Sequence, residues 1–222
     1  MCGRYSLTAS KKKIAEEFKL QESHLKELGP QYNIAPSRSV PVLIKSPDTQ
    51  VELFRWGLIP SWAKDPTIRN RMINARKETL AEKPSFRSPF QKHRCLVLAD
   101  GFYEWKGEGR AKTPYYIRMK SKEPFGFAGL WSKWIDPSKK EIYSCTIITG
   151  EPNEILKPIH NRMPMILLPK NRDEWLDLTN QDTIRLLKLL EPYPAEEMEA
   201  YPVSRLVNSP ENNKPECIEP AS

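Results

Sequence analysis

The chain has 222 residues, enough for one sizeable core and near the upper end of what a single domain spans. Its 35 Lys and Arg against 28 Asp and Glu leave a net charge of +7, which favours a polyanion such as nucleic acid but fits a merely basic protein equally well. Four widely spaced cysteines without a CxxC pair exclude a disulfide framework, and no run approaches the ~20 apolar residues that a membrane span needs.

The chain opens MCGRYSLT. With Met1 removed, Cys2 would carry a thiol and a free α-amine on neighbouring atoms, although a cysteine at position 2 is by itself an ordinary terminal residue. The charged start SLTASKKKIAEEF lacks the apolar core of a secretory signal, so an intracellular, cytoplasmic protein is expected. SKKKIAEEFKL sets Ile14, Ala15 and Phe18 on one face at helical spacing. The runs VPVLIK, VELFRWGLIP, RCLVLADGFYEW, TPYYIRMK, PFGFAGLWSKW and EIYSCTIITG are β-branched and aromatic, bounded by turn formers, and read as strands. NEILKPIH, RDEWLDL and QDTIRLLKLLEP read as short late helices. Strands in succession with helices at the edges predict an α+β fold, and 21 prolines imply many rigid turns. The last residues, 208–222, are polar and Pro-rich and read as a flexible tail behind a domain over 1–207.

Cys95 and Cys145 lie in apolar runs and act as small hydrophobes. The His93-x-Cys95 spacing is a weak zinc signal, and neither metal nor cofactor is expected. Polar residues collect where apolar strands end: Asn74, Arg76 and Glu78 in INARKET, Asp100 and Glu104 in ADGFYEW, His160 and Arg162 in IHNRMP. Each has an ordinary structural role open to it. Asn74 is placed to cap a helix through ARKETLAE, Glu104 to be a strand-end charge, His160 to be a surface imidazole. Together with Cys2 they amount to a nucleophile, an acid/base pair and an orienting amide.

CGRY, YNIAP, WGLIPSWA, INARKET, ADGFYEW, TIITGEPN and HNRMP, in this order, resemble the SOS response-associated peptidase (SRAP) family of abasic-site processing proteins. The resemblance implies a single α+β domain with a curved, β-barrel-like core and peripheral helices. It implies a partner, single-stranded DNA containing abasic sites, and a covalent link from Cys2 to the ring-opened deoxyribose. The chemistry fits a 1,2-aminothiol. At pH 7 an α-amine of pKa ~7.8 is roughly 14% neutral and a lysine roughly 0.04%, so the terminus condenses with an aldehyde far more readily. The adjacent thiol then closes a thiazolidine.

On the same resemblance Asn74 holds the terminus while Glu104 and His160 move protons. Arg4, Arg76 and Arg162 contact phosphates, and Trp62, Trp105 and Pro36 stack on or wedge against bases. Core packing remains open to Trp62. A lyase-like activity and autoproteolytic loss of Met1 are further implications, with an aminopeptidase equally able to remove Met1. A monomer is expected. Two other classes stay open: a cysteine peptidase or N-terminal nucleophile hydrolase with His160 as base, and a noncatalytic nucleic-acid-binding module.

Overall fold

The computed structural model describes residues 2–25, 28–45, 49–107, 109 and 112–221. Two sheets share one core. In the first, β3 (Ser39–Lys45) pairs antiparallel with β4 (Thr49–Trp56), which runs parallel to β10 (Glu141–Gly150). From β10 the path continues antiparallel through β9 (Phe125–Ile135) and β6 (Arg94–Ala99) and returns to β3. These pairings close a five-stranded barrel, the curved core expected of this α+β chain. Closure gives each of the five strands a barrel partner on both sides, which limits the liability of unpaired strand backbone. The second sheet runs β12 (Met198–Pro202), β8 (Thr113–Met119), β7 (Gly101–Lys106), β1 (Tyr5–Leu7), β2 (Gln31–Ile34).

RCLVLADGFYEW, one apolar run in the sequence, serves both sheets. It leaves the barrel at Ala99 and enters the second sheet at Gly101, with Asp100 between. Asp100 is only 8% exposed, and its carboxylate accepts from Ser6 Oγ, Thr8 N–H, Thr8 Oγ1 and Ala9 N–H. Four donors offset the cost of burying that charge. At Gly101 a Cβ would sit 2.1 Å from the Tyr116 hydroxyl, so no larger residue fits the crossover. Tyr5 then joins the sheets, edge-on to Trp56 at 5.2 Å and to Phe127 at 5.7 Å between ring centroids.

The helices are short and peripheral: α1 (Lys11–Phe18), α2 (Arg87–Lys92), α3 (Arg172–Leu176) and α4 (Thr183–Lys188). α1 buries Ile14, Ala15 and Phe18, the face its spacing predicts, and Ser10 caps it by accepting from Lys13 N–H. The helix read in NEILKPIH does not form. Residues 154–159 are turns, held by Asn153 Oδ1 accepting from Leu156 N–H and interrupted by Pro158, which has no N–H to donate. ARKETLAE is not a helix either, because Asn74–Arg76 forms strand β5 and a single 3-10 turn follows.

Residues 208–221, the polar tail of the sequence, are exposed along most of their length and are tied to the domain at a few points. Cys217 is fully buried, Tyr201 Oη donates to the Ile218 carbonyl at 2.9 Å, and Ala221 N–H donates to the Pro202 carbonyl at 2.9 Å. No helix among the described residues is long and apolar enough to cross a membrane.

Candidate active site

Strand β10 builds the site by taking partners in relay. Along one edge it pairs with β4 at Ser144 and Cys145, then with β5 at Ile147, Ile148 and Thr149; along the other it pairs with β9 up to Ile147 and then with β11 (Met163–Pro164). Its last residues therefore lie between INARKET and HNRMP, which are far apart in sequence. The N-terminal arm comes from the second sheet. Tyr5 pairs with Phe102, and Tyr103 N–H donates to the Arg4 carbonyl at 2.9 Å. Continuing that register sets Gly3 opposite Glu104, with Cys2 one residue further along the arm.

Cys2 is fully buried. Asn74 Nδ2 donates to its carbonyl at 2.8 Å, and its sulfur lies 3.9 Å from the Arg4 carbonyl. Burial pushes the thiol well above its usual range, and the neighbouring Glu104 carboxylate adds to the shift, so the sulfur rests as S–H. Glu104 is 2% exposed, and burial raises its carboxyl pKa as well. His160 Nε2 stands 3.9 Å from Glu104 Oε2, and His160 Nδ1 accepts from Arg162 N–H at 3.0 Å. That acceptor role fixes the neutral tautomer, with the proton on Nε2 facing Glu104. Partial burial lowers the imidazole pKa, so His160 is neutral at pH 7. The arrangement is a neutral thiol, a buried carboxyl whose pKa burial raises, and an oriented imidazole beside it.

The expected DNA contacts divide in two. Arg76 is exposed at the end of β5. Trp62 is 57% exposed, on an excursion between β4 and β5 that Leu58 N–H closes by donating to the Met72 carbonyl at 3.1 Å, so its base adjoins Asn74. Pro36 is half-buried in the β2–β3 turn, where Arg38 N–H donates to the Ala35 carbonyl and Ser37 takes a left-handed φ of 71°. The others are held by protein groups. Arg162 makes a forked pair with Glu78, Nη1 to Oε1 at 2.7 Å and Nη2 to Oε2 at 3.1 Å, and Nη2 also donates to the Thr149 carbonyl. Arg4 Nη1 donates to Asn33 Oδ1 and to the Val207 carbonyl, and Trp105 Nε1 donates to Asn208 Oδ1.

Sequence reasoning passed over Asn33 and Thr149 as site neighbours; the YNIAP and TIITGEPN stretches were the available signals. His93 stacks on Trp131 with centroids 4.2 Å apart, and Cys95 is buried in β6. Among the described residues no group of three or more His, Cys, Asp or Glu could hold a metal ion.

A closed five-stranded barrel beside a second sheet, with Cys2 buried close to Glu104, defines the class of fold. The chain belongs to the SOS response associated peptidase (SRAP) family, whose sequence profile it matches over residues 1–210. It is 49% identical over 99% of both chains to the abasic site processing protein YoqW of Bacillus subtilis (strain 168). It is also 37% identical to the abasic site processing protein HMCES of Gallus gallus, covering 86% of this chain and 66% of that one. A crystal structure of a Bacteroides thetaiotaomicron protein superimposes with a TM-score of 0.89 at 34% identity, covering 100% of each chain.

Proposed function

We propose that this protein processes abasic sites in single-stranded DNA by linking its N-terminal cysteine to the opened sugar. The observation that carries this reading is Asn74 Nδ2 holding the carbonyl of buried Cys2 at 2.8 Å, with buried Glu104 facing half-buried His160 at 3.9 Å. The names of the homologous proteins supply the lesion.

Removal of Met1, by this site or by an aminopeptidase, frees the Cys2 amine. The neutral amine adds to C1′ of the ring-opened aldehyde, and loss of one water, with protons delivered through His160 and Glu104, leaves a protonated imine. The Cys2 S–H then gives its proton to the Glu104 carboxylate, sulfur bonds to C1′, and the C=N electron pair returns to nitrogen. The product is a five-membered thiazolidine. Ring closure removes the iminium that would otherwise drive β-elimination and strand scission, so the adduct shields the lesion; reopening the ring first is the route to lyase-like activity.

A thiol kept protonated by burial suits an S–H that waits for an imine better than it suits the thiolate–imidazolium couple of a cysteine peptidase. On this mechanism Cys2→Ala forms no stable adduct with abasic single-stranded DNA, while Cys2→Ser forms at most a labile one. Denaturing gels with and without heating distinguish them. A heat-stable adduct from Cys2→Ala overturns the mechanism.

A further inference from the structure

YNIAP places a polar side chain, Asn33, where β2 enters the core, only 4% exposed. A buried carboxamide is costly unless it is bonded, and Asn33 is bonded on both edges. Oδ1 accepts from Arg4 Nη1 at 2.8 Å, and Nδ2 donates to the carbonyls of Val207 at 3.2 Å, Ser209 at 2.9 Å and Asn212 at 2.8 Å. Arg4 Nη1 also donates to the Val207 carbonyl at 2.7 Å. The next residue, Asn208, accepts from Trp105 Nε1 at 2.8 Å, and the Arg4 guanidinium carbon lies 5.9 Å from the centre of the Trp105 ring. One carboxamide thus ties together an arginine two residues from Cys2 and the turn that holds the tryptophan beside Glu104. Further along the C-terminal segment Ile218 accepts from Tyr201 and Ala221 donates to Pro202, while Cys217 Sγ donates to the same Asn212 carbonyl at 3.4 Å. Asn33 spends its donors on residues 207–212, the stretch that meets Arg4 and Trp105.

We propose that Asn33 is a positioning residue for DNA binding, setting Arg4 and Trp105 in place before the strand arrives. The proposal rests on the reading that Arg4 and Trp105 meet the DNA. Preset side chains lose less conformational freedom on binding, so the same contacts hold the strand more tightly.

The test is a double-mutant cycle on undamaged, fluorescently labelled single-stranded DNA, read by anisotropy across a salt series with thermal melts alongside. Arg4→Ala and Asn33→Ala should each weaken binding by about ten-fold, the scale of one charge-assisted contact. Each should lower the log–log salt slope by about 0.7, one phosphate contact, and the double variant should bind no more weakly than Arg4→Ala alone. Asn33→Asp, which loses the donors to the 207–212 carbonyls and neutralises Arg4 with its own charge, should lower the slope as well; it carries the test if Asn33→Ala melts below the assay temperature. Parental affinity in Asn33→Ala, additive losses in the double variant, or a parental slope in Asn33→Asp overturns the proposal while leaving Arg4 a DNA contact. Parental affinity in Arg4→Ala overturns the reading beneath it.

Discussion

Glu104 shows what the site costs the residue that carries it. Burial raises its carboxyl pKa, so the folded chain holds that proton more tightly than the unfolded chain, whose glutamate sits near ~4.3. The sign follows from linkage. The contribution is fully favourable below the unfolded value and is lost as pH rises through the raised folded value. Above that folded value an ionised Glu104 is therefore a stability cost. Glu104→Gln should gain melting temperature over the parent as pH rises, with the gap narrowing toward pH 4, and should crosslink slower by about ten-fold or more. Melting curves across pH and single-turnover gels check the two halves. A variant as fast as the parent removes Glu104 from the proton path.

At the scale of elements, β1 is three residues long, too short to hold itself, yet it carries the arm that ends at Cys2. Asp100 supplies the hold by accepting four hydrogen bonds from residues 6–9. Asp100→Ala should cost about 3 kcal/mol, on the scale of lost charge-assisted bonds and buried donors left unmet. It should also slow adduct formation although Asp100 touches no DNA in this account. Denaturant titration beside single-turnover assays tests this, and unchanged stability with unchanged rate contradicts it. Asp100 also marks how far elements can be read from sequence. Strands β3, β4, β8, β9 and β10 were legible as β-branched and aromatic runs bounded by turn formers, and β3, β9 and β10 are buried on both faces over most of their length. The break inside RCLVLADGFYEW was not legible, since the run stays apolar on both sides and only the contacts with Ser6, Thr8 and Ala9 reveal a change of sheet. β5 escaped for a related reason: three residues carry no period, and INARKET becomes a strand only because β10 offers a free edge beyond β4.

For the whole molecule, barrel closure is a long-range property. β10 pairs with four other strands, and no local pattern encodes that. The candidate group was nonetheless legible, since Cys2, Asn74, Glu104 and His160 sit in motifs whose order carries the family resemblance; in the fold Asn74 meets the Cys2 carbonyl and His160 faces Glu104. The polar contacts were only half legible. Arg4 and Arg162 are expected to contact phosphates, and the sequence does not show that the protein also engages each of them, Arg4 with Asn33 and Val207 and Arg162 with Glu78. Sequence shows that a guanidinium is available but not what already neutralises or orients it.

The central claim, a thiazolidine between the terminal cysteine and an opened abasic sugar, has a fixed stoichiometry. Condensation expels one water, and ring closure then moves a proton without changing mass. Intact mass spectrometry after mixing the protein with single-stranded DNA bearing one abasic site should therefore give the mass of the chain lacking Met1 plus the DNA, minus one water. A mixture showing only the separate masses, or an adduct that retains Met1, would contradict the account.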